Sequence, residues 1–487
     1  MTAVRGRRSH LSRAAISVSA NPDSHSTAQA TRLVSGVERS VLALGVLLRL
    51  YLATVNAEAN DDHQTVIRII AHQHRLPGLR DAWEGFQPKF YHVTVAILWN
   101  LSPWQSSVVQ VRIAQLVACA AGIATLFVVR RALARWALSA PTRTLTFALV
   151  ALNPTLIGLN AQATNDSFVI LFATVALAHA YEFFRVGTIR AFILTSVSVV
   201  LAALSKGNGL VIFIAISATL AHAIVRHDAV PRCSQRQLVG VTVGFVVMFL
   251  ASTVALGSYR RNWQDTGNPF SINGNPEPFP NVFSRTYVYR PGTTSIADTY
   301  FTFRFVDMLA HPAITSDPRV YPLHRTSLWS QLYGRAHAVH FAQHPPSWRN
   351  TSPLVFAIAR LVLVIALLPT ALLMAGMLRI VGTLILPSRR RSVRGQNLNW
   401  ELTALTATGF VTFLIVYSLL YRDFSTMKAE FLFPGLLASA VLFADEAERA
   451  QASYLRERWI RCGVGWAFAV LLALYVTDVV ILAIQLT

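Results

Sequence analysis

The sequence predicts an all-α polytopic membrane protein, and three observations carry that reading. Of its 487 residues, 53% are hydrophobic and 14% charged, with a mean hydropathy of +0.45. Soluble domains rarely show that composition. Apolar runs of about 20 residues recur from Val41 to the C-terminus, the length a helix needs to cross a bilayer. Arginines gather in the short loops between those runs, where the positive-inside rule expects them on the cytoplasmic side.

The expected spans lie near 36–55, 108–130, 144–162, 166–184, 189–205, 207–225, 238–257, 353–378, 401–421, 427–444 and 462–486. That makes about 11 transmembrane helices. With the N-terminus inside, "RRALAR" (130–135), Arg185 and Arg190, the stretch from Arg226 to Arg236, "RRRSVR" (389–394) and "RERWIR" (456–461) all fall on the cytoplasmic side. The apolar stretch "FYHVTVAILWNL" (90–101) would make a twelfth span and flip every later cluster. At about 12 residues it is short for a crossing, and it reads as an interfacial or re-entrant segment.

Four sections follow. Residues 1–35 form a basic, polar cytoplasmic tail without the apolar core of a cleaved signal peptide. Residues 36–257 form an N-terminal transmembrane module that includes an outer loop at 56–107. Residues 258–352 form a larger outer loop of roughly 95 residues, long enough to translocate whatever its charge. Residues 353–487 form C-terminal transmembrane helices. The formal charge is +20, from 43 basic and 23 acidic side chains. No soluble section remains that would read nucleic acid, so the excess is a topology signal and a means of contact with anionic lipid. Cys119, Cys233 and Cys462 have no paired spacing, so neither a thiolate metal site nor a disulfide frame is expected.

The chemistry-bearing stretches lie at span ends. "NDDHQTVIRIIAHQHRLP" (60–77) has an apolar face of Val66, Ile67, Ile69 and Ile70 at helical spacing. Asn60 or Asp61 would cap that helix, with the other acids in its first turn. Capping needs one such side chain, yet two aspartates, His63 and Gln64 stand there. "QATNDSF" (162–168) places Asn165 and Asp166 at a span start, either as a cap or as a second acid on the same side as Asp61 and Asp62. In "LSKGNGLV" (204–211), Gly207, Asn208 and Gly209 make a tight turn. Lys206 there either snorkels to the interface or meets an anionic head group.

"YRDFSTMKAEFLFPGLLA" (421–438) offers Arg422, Lys428 and Glu430 as an interfacial anchor or as further cations for that site. "WEGFQPKFYH" (83–92) sets a rigid turn at Pro88 with Gln87, Lys89, Tyr91 and His92 around it. It suits a sugar-stacking platform or a plain interfacial aromatic belt. Together these residues suit sugar transfer from a lipid-linked phosphate. The leaving phosphate needs no protonation, so one carboxylate base suffices, unlike the acid–base pair of a glycosidase. Cations then stabilise the departing phosphate.

The order of these motifs resembles the GT-C membrane glycosyltransferases, especially the protein O-mannosyltransferases and aminoarabinose transferases. The resemblance runs over roughly residues 40–445, through the acid–His motif, the Gln-Pro turn, "LNP…NAQATND", "LSKGNGL" and "K–EFLFPGLLA". It implies a GT-C-type bundle and a polyprenyl-phosphate sugar donor. It also implies that Asp61 is the catalytic base, with Asp62 one residue along in support. By the same resemblance Asp166 matches the family's second acid, Lys206 its lysine between two spans and Lys428 its late basic residue; beside them, His63 and Asp166 would orient substrate or base, and Lys206, Lys428 and Arg422 would hold the lipid phosphate. Gln87, Lys89, Tyr91, His92 and Asn165 would line the substrate site. The family turn commonly reads Gln-Pro-Pro, whereas Lys89 replaces the second proline here.

The loop 258–352 carries no family motif and is expected to shape the acceptor side. A divalent metal bridging Asp61 and Asp166 would suit an oxygen-rich site, although cationic side chains already fill that need. Protein, lipid and glycan acceptors all fit, on the outer face of a bacterial plasma membrane or the lumenal face of an endomembrane. Two rival readings are a transporter or flippase for a lipid-linked or anionic substrate, and a non-catalytic assembly partner. Transporters hold their charges near the bilayer midplane, whereas these lie at span ends.

Overall fold

The computed structural model describes residues 23–58, 62–228, 230–270, 295–314, 322–343, 345–385, 397–420, 427–453 and 457–487. Among them all regular structure is helical. Among the described residues seven helical segments are long and apolar enough to cross a membrane: Ser107–Leu133, Asp166–Val186, Gly207–Val225, Gln235–Leu256, Pro353–Gly382, Leu398–Leu419 and Arg458–Leu486. This is a multi-pass membrane architecture.

The remaining four expected spans differ for identifiable reasons. The first lies in α1 (Asp23–Val55), which carries Glu38, Arg39 and Arg49 among its apolar residues. After α2 (His63–Gln73), α3 (Phe90–Leu101) and α4 (Ser107–Leu133), the expected span 144–162 is two helices, α5 (Ala140–Ala151) and α6 (Pro154–Asn160). Pro154 has no N–H to give and its ring disfavours helix at the preceding residue. The Asn153 side chain accepts from the Leu156 N–H and starts α6 afresh. Following α7 (Asp166–Val186), α8 (Ile189–Ser205) has 17 residues, fewer than a typical crossing. The fourth, 427–444, opens with two 3₁₀ turns, Ala429–Phe431 and Phe433–Gly435, around Pro434; the α-helix then runs Leu436–Ser453.

Helices α9 (Leu210–Val225), α10 (Gln235–Leu256) and α11 (Tyr259–Thr266) follow α8. The second long loop contains α12 (Ile296–Phe301), α13 (Phe305–Ala310) and α14 (Leu328–His337). The C-terminal part is α15 (Pro353–Ile365), α16 (Leu367–Ile385), α17 (Asn397–Leu420), α18 (Leu436–Ser453) and α19 (Arg458–Leu486).

The central helix α7 packs on α4 and α8, α9 on α17, α16 on α18, and α1 on α4, α5 and α19. Lipid tails are as apolar as leucine, so close packing through small side chains drives such contacts. The buried Ala173, Ala176 and Ala180 of α7 and Ala203 of α8 supply them, with Leu177, Phe183 and Ile212 filling the space between. Gly187 ends α7 at φ 72°, and a Cβ there would lie 1.4 Å from the Pro231 carbonyl oxygen.

The two ends of the bundle differ chemically. At one end Glu38 accepts from Arg143 at 2.8 Å, Arg135 pairs with Glu182, Arg379 with Asp445 and Glu446, and Glu448 accepts from the Ser139 N–H. Those residues stand midway along α1, just past the end of α4, at the start of α5 and toward the ends of α7, α16 and α18. The residues singled out as site candidates stand at the opposite end.

Inside the bundle the buried Arg49 guanidinium crosses from α1 to the α5–α6 break. It donates to the Ala151 carbonyl at 2.7 Å and to Asn160 Oδ1 at 2.9 Å. The break leaves carbonyls without a helical partner, and the arginine satisfies one of them.

Candidate active site

The site is assembled from helix ends. Asn165 occupies the N-cap position of α7, but its side chain caps nothing. Instead Asn165 Nδ2 donates to the Ser205 carbonyl at 2.9 Å and to Gln87 Oε1 at 2.5 Å. This joins the end of α8 to the Pro88 turn. Asp166, next along, accepts from Lys206 Nζ at 2.7 Å on one oxygen and from Thr164 Oγ1 at 2.9 Å on the other. The lysine and aspartate side chains are 13% and 10% exposed, so little water competes for the pair. Lys206 Nζ also stands 5.2 Å from the centre of the Phe431 ring. Asn208 Nδ2, two residues on, reaches the Phe431 carbonyl at 3.5 Å. The structure thereby brings together "FQPKF", "ATND", "SKGN" and "KAEF".

The Pro88 turn is built more tightly than a set of exposed handles. Lys89 is buried and points back into the turn, where Nζ donates to the Gly85 and Gln87 carbonyls, the former at 2.8 Å. Burial pushes its ammonium down to about 7 against the pull of Glu84. Glu84 is itself buried and accepts from Gln87 Nε2. Tyr91 is fully buried, and its hydroxyl donates to the Ala114 carbonyl at 2.9 Å. Its ring therefore offers no face to a sugar, which corrects the expectation of a stacking platform. His92 is also buried and shares a proton with His63 across 2.9 Å between Nε2 and Nδ1. Burial first, then the charges of His63, Lys89 and Lys206, holds His92 well below the ordinary imidazole range.

The acid-bearing loop shows a second departure. Helix α2 begins at His63, with Asp62 in the N-cap position and no acid in its first turn. Asp62 makes no cap; one carboxylate oxygen accepts from the Trp83 N–H at 3.2 Å. The expected cap by Asn60 or Asp61 falls on residues outside the described ones, as do Asp61 itself and Arg422. Lys428 sits just before the Ala429–Phe431 turn that carries the Phe431 ring. Among the described residues no three His, Cys, Asp or Glu side chains are grouped to hold a metal ion.

Several residues of the site lay outside the sequence reading. The chain just before the acids is clamped from three sides. Arg112 Nη1 donates to the Ala53 and Asn56 carbonyls at 3.0 and 2.7 Å. Gln115 Nε2 donates to the carbonyls of Asn56 and Glu58 at 2.8 and 3.3 Å. Asn56 Nδ2 donates to the Ala161 carbonyl at 3.0 Å.

The second long loop supplies the rest. Trp348 Nε1 donates to Asn56 Oδ1 at 3.3 Å, and the Ser347 N–H to Glu58 at 3.0 Å. At its other end, Ser258 Oγ donates to the Gln87 carbonyl at 2.8 Å, Asn262 Nδ2 to the Phe86 carbonyl at 3.0 Å, and Tyr259 to the Ala203 carbonyl at 2.8 Å. Its middle is fastened to α16 and α19. The His340 ring bonds Asp478 at 2.7 Å, and the His337 ring bonds Tyr475 and Thr370 at 2.5 and 2.9 Å. A polar side chain inside an apolar run, such as Gln115 or Asp478, was the available sequence signal for this framework.

No family model matches the chain, and no curated protein matches it. Among solved structures it is similar to the Archaeoglobus fulgidus oligosaccharyltransferase tethered with an acceptor peptide, at a TM-score of 0.47 and 14% identity over 92% of this chain and 55% of that one. The same archaeal protein in complex with an inhibitory peptide and a dolichol-phosphate gives a TM-score of 0.43 and 15% identity, over 92% of this chain and 55% of that one. ArnT from Cupriavidus metallidurans bound to undecaprenyl phosphate gives 0.36 and 12%, over 87% of this chain and 78% of that one. The chain thus spans about half the length of the archaeal protein. With TM-scores below 0.5, activity is read from this chain's own side chains.

Proposed function

We propose that the chain is a GT-C-type glycosyltransferase that moves a sugar from a polyprenyl-phosphate carrier to an acceptor hydroxyl, with inversion, on the outer or lumenal face of its membrane. The observation that carries this reading is the Lys206–Asp166 pair, linked through Asn165 to the Pro88 turn and lying over Phe431. One cation, one carboxylate and an aromatic face meet at the ends of apolar helices, where the phosphate of a membrane-embedded lipid would lie.

In the reaction the acceptor oxygen attacks the anomeric carbon as the bond from that carbon to the phosphate oxygen breaks. The electron pair leaves on the phosphate, and the acceptor's proton passes to Asp61 or Asp62. Lys206 and Lys428, with Arg422, would meet the charge growing on the phosphate. Asp166 already holds Lys206, so its part is to aim that lysine, and proton abstraction falls to the acids before α2. The His63–His92 pair would fix α2 against α3 and so fix the position of Asp62. The second long loop would shape the acceptor side.

The deciding experiment compares Asp61→Asn, Asp62→Asn and the double variant in purified protein, with undecaprenyl-phosphate sugars as donors and mass spectrometry of lipid-linked sugars as readout. A drop of about 100-fold or more is expected in one single variant and in the double. Near-normal turnover in all three overturns the assignment.

A further inference from the structure

Within the second long loop, residues 295–310 carry their polarity inside out for a part bathed in water. Ser295 at its start apart, the exposed side chains are Ile296, Ala297, Phe301, Phe303, Val306 and Ala310. Phe301 and Val306 are 82% and 80% exposed. The polar side chains turn to partners instead. Asp298 accepts from Arg304 Nη2 at 2.9 Å, Asp307 accepts from the His324 N–H at 2.7 Å, and Thr302 Oγ1 donates to the Asp298 carbonyl. Helix α11, at the start of the same loop, turns Arg260, Arg261, Gln264 and Asp265 outward beside Trp263. Single exposed apolar side chains are ordinary in water, but an outward face with almost nothing else on it is not.

The segment also stands at membrane depth. The Tyr333 hydroxyl donates to the Leu363 carbonyl, and the Phe303 ring lies 5.5 Å from the Tyr333 ring. Met308 belongs to one buried cluster with Val362, Leu363 and Leu471. At a rise of about 1.5 Å per residue, Leu363 is about 15 Å from Pro353 at one end of its span and about 24 Å from Arg379 near the other. On the same scale Leu471 is about 22 Å from Leu486 and about 15 Å from Arg461. Taken from either end, both levels fall inside a hydrocarbon core about 30 Å thick.

Two spans hold the segment there. The Tyr300 and Ser418 hydroxyls share a hydrogen bond at 3.0 Å, and Ser418 stands at the end of α17 from which the chain continues to Lys428. On α15, Arg360 Nε donates to the Leu309 carbonyl at 2.7 Å and Nη2 to the Ala310 carbonyl at 3.4 Å. Those are the last carbonyls of α13. Water would satisfy them at a helix end in solution, whereas lipid tails offer no donor and the protein must supply one.

We propose that residues 296–310 form a re-entrant wall that bridges α15 and α17, with Phe301, Phe303 and Val306 against the acyl chains of the leaflet on the candidate-site side. The ends of the loop stay with the first loop, through Ser258 and Asn262 and through Ser347 and Trp348. The wall is independent of the glycosyl-transfer reading, since it rests on depth and polarity alone.

The test uses the full-length protein in nanodiscs of phosphatidylethanolamine and phosphatidylglycerol. Cys233→Ser and Cys462→Ser remove the two native thiols that are not buried. In that background Phe301→Cys and Val306→Cys each carry a nitroxide. Leu361→Cys, exposed on α15, is the lipid-facing control, and Asp265→Cys on α11 is the water-facing one. Oxygen, which concentrates in lipid, and a water-soluble nickel chelate are the two relaxing agents. Labels at Phe301 and Val306 are expected to lose nickel relaxation to the level of the Leu361 label and to keep its response to oxygen. Nickel relaxation of either label at the level of Asp265 overturns the wall. So does shielding of either label from both agents, which would mean that protein and not lipid covers the face. Gel filtration and thermal melting show that each labelled protein is folded, and Phe303→Cys takes the place of a variant that is not.

Discussion

Lys206 and Asp166, 40 residues apart in sequence, meet at 2.7 Å with Thr164 holding the far oxygen of the carboxylate. The lysine is aimed by a fixed partner before any substrate arrives. Asp166→Asn keeps the side chain's shape but removes the charge, and it is expected to lower stability by about 1.5–3 kcal/mol. Transfer should also fall, with most of the loss in carrier binding. Lys206→Ala should do the same, and the double variant should cost less than the sum of the singles. Additive losses would show that the two side chains do not act as a unit.

The clamp on Asn56 and Glu58 predicts a positioning effect. Gln115 touches no candidate substrate group, yet it holds two carbonyls of the chain that leads to Asp61 and Asp62. Gln115→Leu removes both bonds and leaves the buried space filled. A shift of about 1 Å at the reacting groups can cost about 100-fold in rate. We expect kcat to fall by about 10- to 100-fold with KM little changed. An equal rise in KM with kcat intact would place the clamp in substrate binding instead.

Lys89 gives a pH signature of stability. Its folded pKa is about 7, against an ordinary value of 10.5. Between those values the unfolded chain holds the proton that the folded one has released, so stability rises with pH across pH 7 to 10.5. Below pH 7 both states are protonated and the burial of the charge counts in full against the fold. Melting curves across that window should rise with a slope of up to one proton, and Lys89→Met should flatten them.

His337 acts in a lower window. Burial takes its imidazole down to about 4, while the unfolded value is 6.5. Its contribution is complete above pH 6.5 and is lost as pH falls toward 4. The protonated ring has no lone pair to offer Tyr475 or Thr370. Hydrogen exchange in residues 328–343 should accelerate over that range before the rest of the bundle responds. In His337→Gln the acid-induced loss should shrink.

Gly209 tests how closely α8 and α9 approach. A Cβ there would lie 2.5 Å from the Ala202 carbonyl carbon and oxygen. Those are backbone atoms, which do not swing aside, so Gly209→Ala must push the Lys206–Asn208 turn off the end of α8 and shift Lys206 against Asp166. A stability loss of about 1–3 kcal/mol should come with weaker coupling between Lys206 and Asp166. Gly207→Ala, which meets nothing within 4 Å, is the matched control.

Much of this architecture was legible because its signals are local. Apolar run length marked α4, α7, α9, α10 and α19, and the 12-residue helix 90–101 appeared with the bounds read from its sequence. The Asn153–Pro154 break was written in "LNP" but was masked by the apolar residues on either side, which made one continuous run. The four motifs were each visible, and their meeting followed from reading them at the same ends of helices. Their roles were less visible. Lys89 and Tyr91 look like exposed handles in sequence, because nothing local tells that the turn folds over one and that α4 covers the other. The second long loop was read as motif-free, yet its Ser258 and Asn262 hold the first loop through the Gln87 and Phe86 backbone carbonyls, and its Ser347 and Trp348 hold the Glu58 carboxylate and the Asn56 side chain. Backbone partners leave no residue pattern to find.

Arg49 has a consequence for how the protein is made. An arginine within a nascent spanning helix opposes insertion by up to about 2.5–3.5 kcal/mol. The carbonyl that accepts its charge-assisted bond belongs to Ala151, 102 residues further along the chain. During synthesis α1 leaves the ribosome well before α5 and α6 exist, and in that interval its guanidinium has only the Gly45 carbonyl of its own helix to donate to. The first helix is therefore expected to wait at the mouth of the insertion machinery, or to enter and leave it, until the broken pair arrives. Biogenesis would then proceed by the delayed docking of one early helix rather than in strict order from the N-terminus.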